Sequence, residues 1–262
     1  MKQFKGNGVW IDGIRFFEGD ARDCLAVLAA RLARGVRTVV YTPNPVMLEN
    51  AARNPALRAA LLRADLRLPD GVGVVLAARL LGAKMQGRVT GVDTAKRVLA
   101  LAAKKGYRVF FLGGRPGVAK EAARRMRTSL SGLVVCGARD GYFSAAEEGC
   151  VLEEIGRARP DILLVCLGSP KQELWIDRHR DTLADVKLFM GLGGTLDVLA
   201  GENKRAPLPI QKLGMEWLWR MMLEPRRFCA FPKIIAFLCR MLVDFCHSAQ
   251  TQQTKKSILK NL

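Results

Sequence analysis

Short apolar runs alternate along this chain with longer stretches in which apolar residues recur every three or four positions. The runs Thr38–Tyr41, Leu66–Leu68, Arg108–Leu112, Leu133–Cys136, Ile162–Leu167 and Lys187–Met190 predict strands. Several are apolar at nearly every position, as strands covered on both faces are. Helical periodicity predicts helices over Asp20–Arg34, Val46–Arg63, Val72–Leu81, Asp93–Lys105, Val118–Arg127, Ala145–Ala158 and Pro170–Leu183. Strand-helix alternation of this kind predicts an α/β fold: a Rossmann-like, mostly parallel sheet flanked by helices. No internal repeat or low-complexity segment interrupts it.

The texture changes after Gly201. From Lys204 onward Lys and Arg far outnumber the three acids Glu216, Glu224 and Asp244, among Trp217, Trp219, Met221, Met222, Phe228, Phe231 and Phe237. The chain therefore divides into a Rossmann-like α/β domain, 1–203, and a basic, apolar C-terminal appendage, 204–262. Such a tail either lies on a membrane surface with its apolar face, or packs that face on the main domain and leaves its cations in water.

Composition narrows the partners. With 262 residues, half of them apolar, the chain builds a sizeable core. A formal charge of +18 points to an anionic partner: nucleic acid, an acidic membrane or a phosphate-rich substrate. No helix-turn-helix, zinc or RNA-binding signature accompanies the charge, so nucleic acid is not an expected partner. The first fifteen residues lack the apolar segment of a signal peptide. The most apolar late stretch, Phe228–Cys246, is interrupted by Pro232, Lys233, Arg240 and Asp244, so no membrane span is expected. Seven scattered cysteines suit a reducing compartment, and two histidines argue against zinc or histidine-based catalysis.

Candidate chemistry gathers where strands end, the place where open α/β sheets bind ligands. The most informative stretch runs from Asp161 through Gly168-Ser169-Pro170 to Trp175. Pro170 fits the first position of a helix, which puts Lys171, Gln172 and Glu173 in its first turn at a strand's carboxyl end. Thr42 and Asn44, after the strand ending at Tyr41, are ligand contacts or a helix cap. Asp70, in Leu68-Pro69-Asp70-Gly71, is a turn residue or a general base. Gly71 and Gly73 begin a dinucleotide-type pattern, but Leu76 breaks it and no acid follows at the ribose-binding distance, so NAD is set aside. Gly113 and Gly114 allow a close backbone approach to a ligand, without the Gly-Lys-Ser/Thr of a Walker loop. Gly193 and Gly194 offer amides to an anion or tighten packing. Arg88 faces a phosphate or solvent. No Asp-x-Asp pair is present to hold a divalent metal, which leaves charge on a departing phosphate to Arg, Lys and helix dipoles.

Taken in order, these segments resemble the WecG/TagA/CpsF family of bacterial glycosyltransferases. The resemblance rests on Thr42-Pro-Asn44, Leu68-Pro-Asp-Gly71, Arg88-Val-Thr-Gly-Val-Asp93, Phe111-Leu-Gly-Gly114, Gly168-Ser-Pro-Lys-Gln-Glu173 and Gly191-Leu-Gly-Gly194. Lys204-Arg-Ala-Pro207, Gly214-Met-Glu-Trp217 and Glu224-Pro-Arg-Arg227 extend it. It spans about Ile11 to Phe231; the polar end, Ser248–Leu262, is not matched by these motifs. The resemblance implies an inverting, metal-independent transfer of an N-acetylmannosamine-type sugar from a UDP donor to undecaprenyl-diphosphate-linked N-acetylglucosamine, for wall teichoic acid or another surface polymer. It implies no cofactor. Carried onto this chain, Asp70 is the expected base, with Thr42, Asn44 and Gln172 contacting the donor sugar and reacting centre. Arg88 is expected near the donor phosphates, and Arg220, Arg226 and Arg227 at the acceptor diphosphate. Lys171, Glu173 and the four glycines complete the expected substrate site. The setting implied is cytoplasmic and peripheral on the inner face of an anionic plasma membrane, with self-association through an apolar helix face also expected. Which sugar moves is left open among N-acetylmannosamine, its uronic acid and glucose-type donors. A non-catalytic nucleotide-sugar sensor on the same fold is the competing reading, and a basic nucleic-acid-binding protein the more distant one.

Overall fold

The computed structural model describes residues 9–83, 85–203, 206–212, 214–223 and 225–243, excepting the side chains of 208, 212, 220, 223 and 225–227. Six strands form one parallel sheet: β3 (Thr38–Tyr41), β4 (Leu66–Arg67), β5 (Arg108–Gly113), β6 (Val134–Arg139), β7 (Ile162–Cys166) and β8 (Leu188–Gly191). Their order across the sheet is β4-β3-β8-β7-β5-β6. Every predicted strand is present within one to three residues at either end. A small antiparallel hairpin, β1 (Val9–Ile11) and β2 (Ile14–Phe16), precedes them.

The side-chain alternation of a strand sorts the core into two layers. Val39, Tyr41, Phe110, Leu112, Leu163, Val165 and Phe189 face one way. They meet α2 (Pro45–Arg53), α3 (Pro55–Arg63), α4 (Val72–Leu80), α7 (Glu148–Ala158) and α8 (Lys171–His179). Val40, Val109, Phe111, Ile162, Leu164, Leu188 and Met190 face the other way. Those residues meet α1 (Ala21–Ala33), α5 (Gly91–Lys105), α6 (Val118–Ser129) and α9 (Thr195–Ala200). Both faces are thus covered, which is why the strands read as unbroken apolar runs.

Two local predictions are corrected. The helix expected over Val46–Arg63 is two helices, because Asn54 accepts from Leu57 N at 3.0 Å and Pro55 opens a new first turn. Pro170 stands one residue before α8 rather than at its first position, joined to Ser169 by a cis peptide bond.

Beyond Ala200 the chain forms α10 (Leu208–Lys212), α11 (Glu216–Leu223), a 3-10 turn (Pro225–Ala230) and a helix over 231–243. This last helix packs on the body: Phe237 and Met241 are fully buried in the same cluster as Ile11, Leu48 and Phe189. Arg240 pairs with Asp12 at 2.7 Å and Glu49 at 3.2 Å, and Lys233 donates to Asn50 at 2.8 Å. The packed alternative for the tail is therefore realised by one face of this helix, while Ile235, Leu242 and Val243 stay exposed. Among the described residues no helix is long and apolar enough to cross a membrane.

Candidate functional site

The strand ends that carry the sequence motifs are laced together by main-chain hydrogen bonds. After β3 and β4, Leu68 N donates to Tyr41 O at 2.9 Å and Asp70 N to Pro43 O at 3.3 Å. Val89 N donates to Pro69 O at 3.0 Å, which fixes Arg88–Val89 beside the Asp70 loop. Thr42 is buried and its hydroxyl reaches Gly191 O at 3.5 Å, so it bridges β3 to β8. Gly91 owes its small size to this crowding, since a Cβ there would lie 3.4 Å from Thr42 Cγ2 and 3.3 Å from Leu192 Cδ2.

A cavity of about 410 Å³ opens over this edge. Asn44, Asp70, Arg88 and Ser169 line it from the sheet side, and Gly214, Glu216, Trp217, Met221, Ile234 and Leu238 from the C-terminal segment. The structure thus brings three of the sequence-predicted residues, Asn44, Asp70 and Arg88, to one chamber. Asn44 also caps α2, its Oδ1 accepting from Met47 N at 2.9 Å, which leaves its NH2 group as the part suited to a ligand. Asp70 is half-buried, in a loop held from both sides.

Gln172 and Glu173 lie behind this wall, both fully buried. The Gln172 amide is a strut: its Nε2 donates to Glu173 Oε1 at 2.6 Å and its Oε1 accepts from Gly193 N at 2.9 Å. It therefore ties the start of α8 to the glycine turn after β8. Burial raises the Glu173 carboxyl above the usual carboxylate range, while the Gln172 and Ser169 side chains beside it pull the other way. A raised folded-state pKa means that stability is fully present at low pH and is lost as pH rises through that value. Glu173→Gln keeps an acceptor for Gln172 and removes the charge. Its melting temperature is expected to exceed that of the parent at alkaline pH, with the gap closing as pH falls; a gap that widens on acidification would contradict the assignment.

Gly113, Gly114 and Lys171 sit further along the sheet edge, at β5 and β7, outside the cavity wall. Gly113 has φ +130° and a Cβ there would fall 2.3 Å from Cys166 O, so no side chain fits. Gly114 N donates to Cys166 O at 3.1 Å. Lys171 is exposed, with Nζ 3.1 Å from Gly141 O and 4.6 Å from the Phe143 ring centroid. Gly194 caps α9. The side chains of Arg220, Arg226 and Arg227, like Lys204, Arg205 and Glu224 of the later motifs, lie outside the described residues. Sequence reasoning missed Ser169 and Glu216 as wall residues. Both stand inside quoted motifs, but nothing in their spacing tells which way they face.

The WecG/TagA/CpsF glycosyltransferase family model matches residues 9–251 of this chain. The chain belongs to that family. As a WecG/TagA/CpsF glycosyltransferase it is 36% identical over 199 residues to the N-acetylglucosaminyldiphosphoundecaprenol N-acetyl-beta-D-mannosaminyltransferase of Bacillus spizizenii. That alignment covers 75% of this chain and 76% of the relative. The family match runs past Phe231, where the recognisable motifs end, and takes in the helix over 231–243. The tail that buries Phe237 is therefore part of the transferase pattern. Among the described residues, no three His, Cys, Asp or Glu side chains gather as metal ligands around the chamber or elsewhere.

Proposed function

We propose that this glycosyltransferase moves N-acetylmannosamine from a UDP donor to a polyprenyl-diphosphate-linked N-acetylglucosamine, with inversion and without a metal. One observation carries the reading: the 410 Å³ chamber joins Asp70, the expected base, to a wall made by the C-terminal segment. The relative's name supplies the chemistry of acceptor and sugar.

The mechanism follows from the residues present. An inverting transfer needs one carboxylate near the attacking hydroxyl to accept its proton as the new C–O bond forms, while UDP departs from the opposite side of the anomeric carbon. Asp70 takes that role. Asn44 orients the sugar through its NH2 group, and Thr42 and Gln172 hold the strand ends on which the reacting centre sits. The glycine turns after β5 and β8 receive the nucleotide side of the donor. Arg220, Arg226 and Arg227 meet the acceptor diphosphate, and the 204–262 segment serves as the acceptor-binding unit.

Exposed Met222, Phe228, Phe231, Ile235, Leu242 and Val243 support a peripheral seat on an anionic membrane, which delivers the lipid acceptor to the chamber mouth. Self-association through this same apolar surface belongs to the proposal, with docking on lipid competing for it. The test is UDP release with purified protein, UDP-N-acetylmannosamine and a short-chain lipid-diphosphate acceptor. Release that requires both substrates and survives EDTA is expected. Release from donor alone, or silence with vesicles and the full range of UDP-sugars, would reject the reading and favour a sensor.

A further inference from the structure

Arg88 lines the chamber, yet its guanidinium is engaged by the C-terminal segment. Nη1 lies 3.3 Å from Glu216 Oε2, and Nη2 donates to Gln211 O at 3.2 Å. Both side chains of the ion pair are mostly buried, 19% and 16% exposed, so water screens the pair less than it screens a surface bridge. The Gln211 carbonyl also accepts Gly214 N at 3.0 Å, and Gln211 Nε2 donates to Ala206 O at 2.6 Å. One guanidinium thus grips the end of α10 through a carbonyl and the start of α11 through a carboxylate. The turn between them presses on the sheet side, where a Cβ on Gly214 would fall 2.9 Å from Val72 Cβ. On its other flank, Arg88 adjoins Val89, whose N–H is bonded to Pro69 O, next to Asp70.

We propose that the Arg88–Glu216 pair is a latch: it holds α10–α11 across the chamber and sets the distance between Asp70 and the acceptor-facing wall. Glu216 is then a positioning residue, acting through Arg88 and touching no reacting atom. The wall it holds, Trp217 and Met221, comes from the segment assigned above to the acceptor, so losing Glu216 acts first on the acceptor side. The kinetic part rests on the proposed function; the structural part stands without it.

The experiment uses the full chain and three variants: Glu216→Gln, Arg88→Glu, and the exchanged pair Arg88→Glu with Glu216→Arg. Hydrogen exchange over residues 208–223 is read against exchange in β5 and β7, which reports whether each variant is folded. Truncating one partner of a largely desolvated charge pair is expected to speed exchange in 208–223 by ~10-fold or more. Glu216→Gln is expected to raise the acceptor KM and leave UDP affinity within about twofold, and the exchanged pair to recover most of the lost protection. Parental exchange over 208–223 in Glu216→Gln, or an exchanged pair no more protected than Arg88→Glu alone, overturns the latch. So does a rise in donor KM with the acceptor KM unmoved. If transfer is silent in the parent chain while the exchange pattern holds, the latch stands and the functional reading fails.

Discussion

Asp70→Asn is expected to lower the turnover number by roughly 10²–10⁴-fold, the range a positioned general base contributes. UDP affinity is expected to stay within about threefold, because the substitution keeps shape and removes only charge. The chamber itself makes the case. Among the described residues that line it, Asp70 and Glu216 are the only carboxylates; Asp70 stands on the strand-end loop, and Glu216 on the C-terminal wall, 3.3 Å from Arg88. Glu173 is near in sequence to the site but fully buried behind Gln172, where burial favours its neutral form. Asp70 is therefore the residue proposed to accept the acceptor hydroxyl's proton, on its place in the chamber wall at the strand ends. Its loop is built for fixed placement: Leu68, Asp70 and Val89 each donate a main-chain bond that ties it to the end of β3 or to the segment after α4. The N–H of residue 70 is retained in Asp70→Asn, so the loop keeps its bond to Pro43 O. The measurement is UDP release at saturating donor and acceptor, with calorimetric UDP binding and thermal melting alongside. A variant with parental turnover removes Asp70 from the mechanism. One that loses UDP binding and transfer together makes Asp70 a donor-site residue instead.

The strands were legible because the sheet is covered on both faces, so each strand is a dense apolar run whatever its neighbours. What sequence pattern could not separate was apolar continuity from chain continuity. From Val46 to Arg63 the helical period barely falters, yet Asn54 and Pro55 supply a complete cap and first turn, and the chain starts a new helix there. The hairpin of three-residue strands was too short for alternation to register. Its signal is the Asp12-Gly13 turn, with φ +55° and +69°, the left-handed pair that a tight hairpin demands. At the site, the motif residues lie at strand ends as expected, but their division of labour is a matter of three-dimensional partners. Gln172 spends its amide on Glu173 and on Gly193, twenty-one positions away. Arg88 reaches Gln211, 123 positions away. Spacing along a chain carries no trace of such pairings. Thr90 shows the converse: its hydroxyl accepts from Asp93 N at 3.2 Å and donates to Asp93 Oδ2 at 2.6 Å, so part of the Arg88–Asp93 motif is helix capping.

Phe237→Ala is expected to cost about 3–5 kcal/mol, the price of truncating a fully buried aromatic ring. For a chain of this length that lowers the melting temperature by of the order of 10 °C. From sequence the C-terminal segment reads either as a membrane-surface tail or as one that packs its apolar face on the main domain, and the helix over 231–243 keeps exposed Ile235, Leu242 and Val243 on one face. The opposite face is different. Phe237 and Met241 have no exposed surface and belong to the cluster that contains Leu48 of α2 and Ile11 of the hairpin. Arg240 reinforces the same interface by meeting Asp12 and the buried Glu49 together. Removing the ring therefore opens a void against the body, and the loss is expected to register in the main unfolding transition. Ile235→Ala, on the exposed face of the same helix, is the internal control and is expected to shift stability by less than about 0.5 kcal/mol. The two variants separate two physical pictures of the C-terminal segment. If Phe237→Ala lowers the main transition and Ile235→Ala does not, residues 231–243 unfold with the α/β body, and the far wall of the chamber (Ile234 and Leu238 on this helix) is anchored to it. If Phe237→Ala leaves the main transition in place and melts only a minor, earlier step, the helix is a separately unfolding unit. The chamber would then be completed only when the tail docks.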